Sequence, residues 1–376
     1  MNITFLKLYT TKELNSAFYN SQELGMAKAL VEVYPEHNVN VVLLTDRKST
    51  GSKELKKEHI INKITLYIVP TFSIGHHGIM KLDILKELQT DLVHLLADNM
   101  IYAPNVIRYC RREKIKIHLY IGTIISDNSK IYRQFVSRFL MRRNIRAYRK
   151  CDVYVKTSAV MKQCEEYGIR AKLAPVGLDK NTTIISEKSG KEIRKELSLP
   201  LDKKLLLFVG RFEEYKRPLD AIELISGLGR EYILVMVGEG VLSEKIDRKA
   251  EEQGVKDRII RFKRVQNAKM REFYKACDFF VNFNRVEIYG MSILEAMCHE
   301  CVVLAMHAPG PDFIVKDGET GFLCRTIDDV AFKIDYLSNN PEIAKKIAQG
   351  ARQYVLQNLM WENTVKAFDD FRINEG

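Results

Sequence analysis

The chain has 376 residues, of which 46% are hydrophobic and 28% are charged, so it can bury large cores and is neither a disordered tail nor a small disulfide scaffold. At about 100 to 200 residues per domain, this length predicts two domains. The 59 Lys and Arg residues outnumber the 48 Asp and Glu residues, and the net charge of +11 predicts an anionic partner: nucleic acid, phosphate groups or a membrane.

The cysteines and the N-terminal residues bear on the cellular compartment. Seven cysteines without regular spacing argue against a disulfide framework and favour a reducing cytoplasm. The first residues, MNITFLKLYT, lack the basic head, apolar stretch and cleavage site of a signal peptide, and no window approaches the roughly 18 apolar residues of a membrane span. We therefore expect a cytoplasmic protein that is soluble or peripheral at the inner face of the plasma membrane.

Short apolar runs alternate with amphipathic segments along the first half of the chain. The predicted strands are ITFLKL (3–8), VNVVLLT (39–45), ITLYIV (64–69), LVHLL (92–96), IKIHLYI (115–121) and VYVKT (153–157). Helices are predicted between most neighbouring strands, for example at 21–34 and 102–113. This βαβ rhythm predicts a parallel sheet with helices on both faces.

A strongly basic run lies between the last two of these strands. Residues 130–150 contain eight Lys or Arg and no acidic residue, and the arginines include Arg138, Arg142, Arg143 and Arg146. At helical spacing the run places an apolar stripe beside a cationic one, which is typical of a helix that lies on anionic lipid. The alternative is a helix whose apolar stripe packs on the sheet while its arginines are solvated. Nucleic acid is disfavoured because aromatic platforms and recognised motifs are missing.

A polar segment at 181–199 interrupts the rhythm and is expected to link a domain at 1–180 to a second at 200–358. The rhythm then restarts, with strands predicted at 204–210, 232–238, 258–262, 278–283 and 302–306. The economical interpretation is an α/β protein with two doubly wound domains. One large sheet of about ten or more strands is the alternative, and open sheets of that size are uncommon. In the two-domain arrangement, ligands bind at the carboxyl ends of the strands, in the cleft between the domains.

The segment FVGRFEEYKRP, residues 208–218, places Gly210, Arg211 and Lys216 between a predicted strand and a helix that begins near Pro218. A helix N-terminus with two nearby cations attracts a diphosphate, because the backbone amides and the helix dipole add to the side-chain charges. A solvated basic loop explains the same residues equally well.

The segment EIYGMSILEAM, residues 287–297, carries Glu287 and Glu295 with seven residues between them. Because the helix is predicted to begin at Gly290, both carboxylates can face a ligand at its N-terminal end and accept sugar hydroxyls. The amides at this helix start would point at an anion, and they belong to Tyr289, Gly290, Met291 and Ser292. This spacing of two Glu residues is frequent by chance, but here it follows a buried strand.

These motifs, with GEG at 238–240 and GETGFL at 318–323, resemble the donor-binding half of the retaining glycosyltransferases of family 4. The first half resembles the acceptor half of that family more loosely, through 92–96, 146–161 and 173–179. The resemblance implies a GT-B fold, in which two Rossmann-like domains face each other across a cleft. It also implies that the final helix, within 359–376, packs back on the first domain.

The resemblance assigns roles to the donor-side residues. Arg211 and Lys216 would clamp the donor diphosphate, Glu287 would contact the transferred sugar, and Glu295 would bind the ribose hydroxyls. The nucleobase would rest on backbone near Val265, in a strand that lacks the Gly usual in the family. The expected donor is a UDP-sugar, with a GDP-sugar second, and no metal or cofactor is expected.

The acceptor side departs from the family pattern. A single Gly25 stands where relatives have a Gly-Gly pair, and Gly122 and Thr123 occupy the loop where relatives often carry a His. His94 is expected at the end of a strand facing the cleft, in an active-site or a structural role. The pair at 76–77, two histidines, is expected at a mobile loop tip.

Cys298 and Cys301 have a metal-ligand spacing, but no second pair of ligands accompanies them, so zinc is not expected.

Taken with the resemblance to family 4, the sequence predicts a retaining glycosyltransferase that moves a sugar from a nucleotide-diphosphate sugar to a saccharide or lipid-linked saccharide, in cell-surface polysaccharide biosynthesis. The alternatives are a nucleotide-sugar epimerase or phosphorylase of the same fold, or a non-catalytic scaffold or chaperone.

Overall fold

A computed structural model of the chain describes residues 1–11, 21–51, 54–61, 63–124 and 131–372. The described chain divides into two compact units. Unit 1 contains the described residues through Gly177 and those from Trp361 onward, and unit 2 contains Leu178–Met360.

Unit 1 is built around a mostly parallel sheet. Its described strands are β1 (Asn2–Thr11), β2 (Asn38–Asp46), β3 (Lys56–Ile61), β4 (Ile64–Ile74), β5 (His77–Ile79), β6 (Leu92–Leu96), β7 (Lys116–Ile121), β8 (Asp152–Val155) and β9 (Ala171–Leu173). The helices between them are α1 (Gln22–Val33), α2 (Arg47–Thr50), α3 (Ile84–Glu87), α4 (Ala103–Arg112), α5 (Ile131–Tyr148) and α6 (Ser158–Glu166).

The parallel strands follow the spatial order β4, β2, β1, β6, β7, β8, β9. Strands β3 and β5 pair antiparallel with β4, and β5 also bridges to β1. The chain goes from β1 to β2 on one side and later to β6 on the other, so the carboxyl ends of β1 and β6 flank a topological switch point, where α/β sheets bind ligands. The predicted parallel sheet is confirmed.

The apolar runs of the sequence explain this sheet. In β1 the side chains of Ile3, Phe5, Leu6 and Leu8 are all buried, although they do not alternate with period two. A parallel strand covered by helices on both faces has no solvent side, so its residues read as a continuous apolar run.

Unit 2 contains the second doubly wound sheet. Its strands are β10 (Lys204–Val209), β11 (Tyr232–Val237), β12 (Ile259–Phe262), β13 (Phe279–Asn282), β14 (Val302–Met306) and β15 (Phe322–Cys324). Its helices are α7 (Gly190–Glu196), α8 (Pro218–Gly227), α9 (Ser243–Glu252), α10 (Asn267–Ala276), α11 (Met291–Cys298), α12 (Pro311–Ile314), α13 (Ile327–Asn339) and α14 (Pro341–Asn358), with 3-10 turns at Glu214–Lys216 and Lys256–Arg258.

All six strands of unit 2 are parallel, in the order β12, β11, β10, β13, β14, β15. The chain moves outward from β10 to β12 and then returns to β13 on the other side of β10. The loops after β10 and β13 therefore meet at a second topological switch point. The segment at 181–199, expected to be a link, lies in unit 2 and contains α7, whose first turn is fixed by a capping box between Ser189 and Glu192.

The chain returns to unit 1 after Met360, through α15 (Trp361–Val365) and a 3-10 turn at Asp369–Phe371. This C-terminal segment is held on the sheet by polar contacts: His118 Nε2 lies 2.7 Å from Asp370 Oδ2, and His37 Nε2 lies 2.7 Å from the Phe371 carbonyl oxygen. The final residues of the described chain thus complete the core of unit 1.

The histidine pair predicted at a loop tip lies at the turn of a β-hairpin. Strands β4 and β5 pair on either side of a turn at Gly75 and His76, and His77 is the first residue of β5. The His76 ring stacks on Tyr9, with ring centroids 4.8 Å apart. Pairing of β5 with both neighbours supplies order that the polar local sequence did not indicate.

His94 is also placed differently from the prediction. It is the middle residue of β6 and is 0% exposed, so it does not end the strand at a surface. Its ring packs among Phe5, Tyr120 and Phe368, with centroids 4.8, 5.3 and 5.2 Å away, and neither of its ring nitrogens has a hydrogen-bond partner in the described structure. Burial, followed by the charges of neighbouring residues, holds the pKa of His94 well below its usual range.

We predict that His94→Phe stabilises unit 1 by about 1 to 3 kcal/mol, because it removes buried polar atoms that lack partners. A histidine whose pKa is lowered by folding contributes full stability above its unfolded pKa of about 6.5, and this contribution is lost as the pH falls below that value. The variant should therefore also lose less stability than the wild type below pH 6.5. Urea unfolding at several pH values measures both effects. His59→Phe, at an exposed position on β3, is the matched control; an equal pH dependence in wild type and His94→Phe would contradict the assignment.

Candidate functional site

The candidate site of unit 2 is built on the switch point between β10 and β13. These strands are neighbours in the sheet, with Leu206 opposite Phe279 and Leu207 opposite Phe280. Their parallel direction brings the loops after Val209 and Asn282 to the same edge. The two motifs singled out in the sequence are these two loops.

The loop after β10 presents two cations around one aromatic ring. Lys216 Nζ lies 5.4 Å and the Arg211 guanidinium 5.6 Å from the ring centroid of Tyr215. The Arg211 side chain is 69% exposed, and it donates to Glu213 Oε1 at 3.0 Å and to the Tyr215 hydroxyl at 2.6 Å. Lys216 ends a 3-10 turn just before α8, whose first residue is Pro218, so the predicted strand–loop–helix order is confirmed.

The loop after β13 presents Glu287 to the first loop. Glu287 Oε2 accepts hydrogen bonds from Lys216 Nζ at 2.6 Å and from Asn284 Nδ2 at 2.9 Å. The side chains of Lys216 and Glu287 are only 21% and 14% exposed, so the ion pair is well shielded from water. In the described structure, Glu287 Oε1 accepts no hydrogen bond, and this oxygen is available to a ligand hydroxyl.

Hydrogen bonds from two buried asparagines fix the shape of this second loop. Asn282 Oδ1 accepts from the Asn284 amide at 3.0 Å, and Asn284 Oδ1 accepts from the Val286 amide at 3.0 Å. The Gly310 amide donates to the Glu287 carbonyl at 2.8 Å. Side-chain hydrogen bonds to nearby backbone stabilise turns of this kind, so Glu287 is held by the loop itself as well as by Lys216.

Helix α11 begins at the same place. Gly290 precedes it with φ of 104°, a left-handed conformation that favours glycine. Met291 and Ser292 are half-buried in its first turn, where the backbone amides have no intrahelical acceptor and the dipole is positive. Tyr289 is buried just before this turn, its ring 6.3 Å from that of Phe313.

Glu295 lies in the second turn of α11, as predicted from the sequence. Its Oε2 accepts from the Tyr274 hydroxyl at 2.9 Å, and Tyr274 comes from α10. Burial, followed by the nearby Glu295 charge, raises the pKa of Tyr274 well above its usual range. The phenol therefore stays protonated and donates, which fixes the Glu295 carboxylate on this side of the helix.

The sequence did not indicate Tyr215, Asn284 or Tyr274 as members of the site. Tyr215 stands inside the first motif, between its two cations, and Asn284 lies three residues before Glu287, just ahead of the second motif. These two positions were the available signals. Tyr274 lies outside both motifs, and only the packing of α10 on α11 brings it to Glu295. Val265, expected in a strand, lies in the loop after β12, which ends at Phe262.

The acceptor-side residues predicted from the sequence all lie in unit 1. Gly25 is within α1, against the indole of Trp361. Gly122 and Thr123 follow β7, and their amides donate to Asp98 Oδ1 at 2.6 and 3.3 Å. The core position of His94 separates it from these loop residues, which belong to the carboxyl edge of the sheet.

The basic run corresponds to α5, where Lys130 lies outside the described residues. Arg138, Arg142 and Arg146 are exposed and border a groove of about 450 Å³ with Met141, Ile145, Arg149 and Tyr167. Arg143 differs from them, because its guanidinium donates to the Ile101 carbonyl at 2.7 Å and to Asn105 Oδ1 at 2.8 Å. Arg143 therefore joins α5 to α4, whereas the other three arginines of the predicted cationic stripe are exposed.

Within the ranges that the structure describes, His, Cys, Asp and Glu side chains form no group of three that could hold a metal ion. Cys298 and Cys301 are both buried, and burial raises the pKa of Cys298 to about 11. Within these ranges we find no helix with both the length and the apolar character needed to cross a bilayer.

Comparison with solved structures defines the class of fold. Anabaena Alr3699/HepE in complex with UDP aligns with a TM-score of 0.75 over 98% of both chains, at 16% identity. WaaG, a glycosyltransferase involved in lipopolysaccharide biosynthesis, aligns with a TM-score of 0.72 over 100% of both chains, at 18% identity. The chain has the GT-B fold of glycosyltransferases, which confirms the predicted fold class.

Sequence comparison finds a family match for the second half of the chain. Residues 189–354 match the family model described as "Glycosyl transferases group 1". The D-inositol 3-phosphate glycosyltransferase of Acidothermus cellulolyticus is 28% identical over 211 residues, which are 52% of this chain and 46% of that protein. The chain thus spans about half the length of this curated relative. The match covers most of unit 2, and the candidate site lies within the matched residues.

We predict that Lys216 and Glu287 are energetically coupled. Removing either partner leaves the other charge shielded and unpaired, whereas removing both does not, so the double change Lys216→Met with Glu287→Gln should cost less than the sum of the single changes. A double-mutant cycle by urea unfolding should give a coupling of about 1 to 3 kcal/mol. The exposed pair Lys256 and Glu251 serves as control and should show no measurable coupling. Equal results for the two pairs would mean that the Lys216–Glu287 contact is incidental.

Proposed function

We propose that this chain is a retaining glycosyltransferase that moves a sugar from a UDP-sugar to a saccharide or lipid-linked saccharide in cell-surface polysaccharide biosynthesis. The observation that carries the proposal is the Lys216–Glu287 pair at 2.6 Å, which joins the loops after β10 and β13 at the switch point of unit 2. The UDP in the HepE structure and the lipopolysaccharide role of WaaG, each a property of that protein, agree with this donor and this pathway class.

The proposed reaction needs negative charge to be stabilised on the departing diphosphate. Lys216 has donors beyond the one that contacts Glu287, and the exposed Arg211 can turn its planar fork from Glu213 to a phosphate. The amides of Met291 and Ser292 at the start of α11 add a third source of positive charge. Fixed groups of this kind stabilise a developing oxyanion without reorganisation, and so they lower the barrier to leaving-group departure.

The two glutamates would bind the sugar parts of the donor. Glu287 Oε1 is open to a hydroxyl of the transferred sugar, while Oε2 is occupied by Lys216 and Asn284. Glu295, oriented by Tyr274, would accept the ribose hydroxyls. The Lys216 ammonium faces Glu287 beside the site, and in this proposal the carboxylate positions the sugar and forms no covalent intermediate. Arg211 and Lys216 take the charge-balancing part that a divalent metal has in other transferases, so we propose that transfer survives chelation of divalent cations by EDTA.

We predict that UDP stabilises the wild-type protein by about 2.7 kcal/mol at 100 times its Kd, and that Arg211→Ala weakens UDP binding about tenfold or more, because it removes a charged hydrogen-bonding partner. Thermal unfolding with UDP, GDP and ADP identifies the nucleotide.

Glu287→Ala should bind UDP but transfer no sugar. The anomeric configuration of the wild-type product, read by NMR, should match that of the donor.

Arg230→Ala, an exposed arginine of unit 2, is the matched control and should bind UDP as the wild type does. Near-normal transfer by Glu287→Ala would remove its proposed role. Interconversion of the free nucleotide sugar without an acceptor would favour an epimerase, phosphate-dependent cleavage would favour a phosphorylase, and no response to any nucleotide would favour a non-catalytic scaffold.

We further propose that unit 1 contacts an anionic membrane surface, which would bring a cytoplasmic enzyme to a lipid-linked acceptor. Exposed arginines at 138, 142 and 146 recur every four residues along α5, and Phe139 beside them is 71% exposed. Farther along the helix, Ile145 and Tyr148 are buried in the core of unit 1, so α5 is anchored while its cationic face remains exposed. A cationic face with an exposed aromatic is suited to lipid headgroups.

We predict that the protein sediments with vesicles of phosphatidylglycerol and phosphatidylcholine but not with phosphatidylcholine alone. Changing Arg138, Arg142 and Arg146 together to Gln should weaken binding about 100-fold, at about 1 kcal/mol per cation near the surface. The control changes Arg230, Arg248 and Lys346, which are exposed in unit 2, to Gln and removes the same charge. Equal loss in both triple variants would assign the effect to net charge instead of to α5.

A further inference from the structure

A buried lysine that pairs with no carboxylate of the described residues lies at the carboxyl edge of the unit 1 sheet. Lys156 directly follows β8 and is only 8% exposed, yet it forms no ion pair with any carboxylate of the described residues. Its Nζ donates one hydrogen bond, to Gln22 Oε1 at 3.2 Å, and lies 5.2 Å from the ring centroid of Tyr120. An ammonium has three donors, so two remain for another acceptor. Buried charges are normally paired, and this ammonium is therefore incomplete as it stands.

The path of the lysine side chain depends on a glycine. A Cβ at Gly122 would lie 3.1 Å from both Cδ and Nζ of Lys156, and 3.2 Å from its Cε. Gly122 follows β7, so the missing Cβ lets the lysine extend over the end of that strand. This route carries the ammonium from the loop after β8 to Gln22, the first residue of α1.

The ammonium arrives at a place that already favours negative charge. Helix α1 follows β1, one of the two strands at the switch point of unit 1, and its N-terminal end carries the positive end of the helix dipole. Nearby carboxylates are committed elsewhere: Asp98 accepts the amides of Gly122 and Thr123, and Glu23 pairs with Lys7 at 3.0 Å. Among the described residues no carboxylate pairs with Lys156, and Glu23, the acid in the first turn of α1, is itself paired with Lys7.

We propose that Lys156, together with the first turn of α1, binds an oxyanion of the acceptor, a phosphate or a carboxylate group. That the oxyanion belongs to the acceptor rests on the proposed function, whereas the oxyanion site itself is inferred from residues of unit 1 alone. The bound group completes the hydrogen bonding of Lys156 and fixes the acceptor at the carboxyl edge of the sheet. Gln22 holds the ammonium in place and acts as a positioning residue, and Gly122 keeps its path open.

Calorimetric titration with inorganic phosphate and, separately, with acetate tests the site. We expect Lys156→Gln to weaken binding of at least one anion tenfold or more, while Lys162→Gln, an exposed lysine of α6, binds as the wild type does. Lys216→Gln should retain this binding, which distinguishes the site from the donor site of unit 2. Preferential binding of phosphate or of acetate identifies the class of oxyanion.

Gln22→Glu gives a second variant that does not depend on tolerating a lost lysine. It places a carboxylate beside Lys156, so the protein should keep its unfolding temperature while anion binding falls tenfold or more. Gln253→Glu, exposed in unit 2, carries the same charge change as control. Unchanged anion binding in both Lys156→Gln and Gln22→Glu would overturn the proposal. Because UDP binding is measured separately, a failure of the transferase proposal would not change the interpretation of the anion-binding measurements.

Discussion

The contact on which the candidate site depends is the ion pair between Lys216 and Glu287, separated by 71 positions in the sequence and by 2.6 Å in the structure. It exists because β10 and β13 are neighbours at the point where the sheet of unit 2 reverses its direction of growth. Each charge would be costly in this shielded place without the other. The side chains of Asn282 and Asn284 and the amide of Gly310 then hold the loop so that one oxygen of Glu287 remains open.

Unit 1 also has a topological switch point, but different side chains lie beside it. There the carboxyl ends of β1 and β6 flank the switch point, and Lys156, which follows β8, extends past Gly122 to Gln22 at the start of α1. In unit 2 the lysine has its carboxylate, whereas in unit 1 the carboxylate of Asp98 is consumed by backbone amides. This difference underlies the two proposals, in which Lys216 serves a donor site with a built-in counter-ion and Lys156 binds an external anion.

Much of the fold could be predicted, because a parallel strand covered on both faces must be a continuous apolar run. That rule located β1, β10, β11 and β14 closely. The same rule predicted β6 at 92–96, but it could not decide whether His94 within that run faces a ligand or the core. Its position is decided by Phe368, from the far end of the chain, which packs over the sheet and completes an apolar cage around the imidazole. Arg143 shows the same limit: its charge indicated a free surface, but the carbonyl of Ile101 occupies it.

The sequence by itself determined the two doubly wound sheets and the two loops that carry Arg211, Lys216, Glu287 and Glu295, because these features depend on local patterns of apolar runs, glycines and charges. Only the tertiary structure decided which of these side chains meet. Tyr274 reaches Glu295, and Lys156 reaches Gln22, across distances in sequence that no local pattern encodes. The physical reason is that hydrogen bonds and ion pairs act over a few ångströms, and the order of strands in a sheet sets those distances.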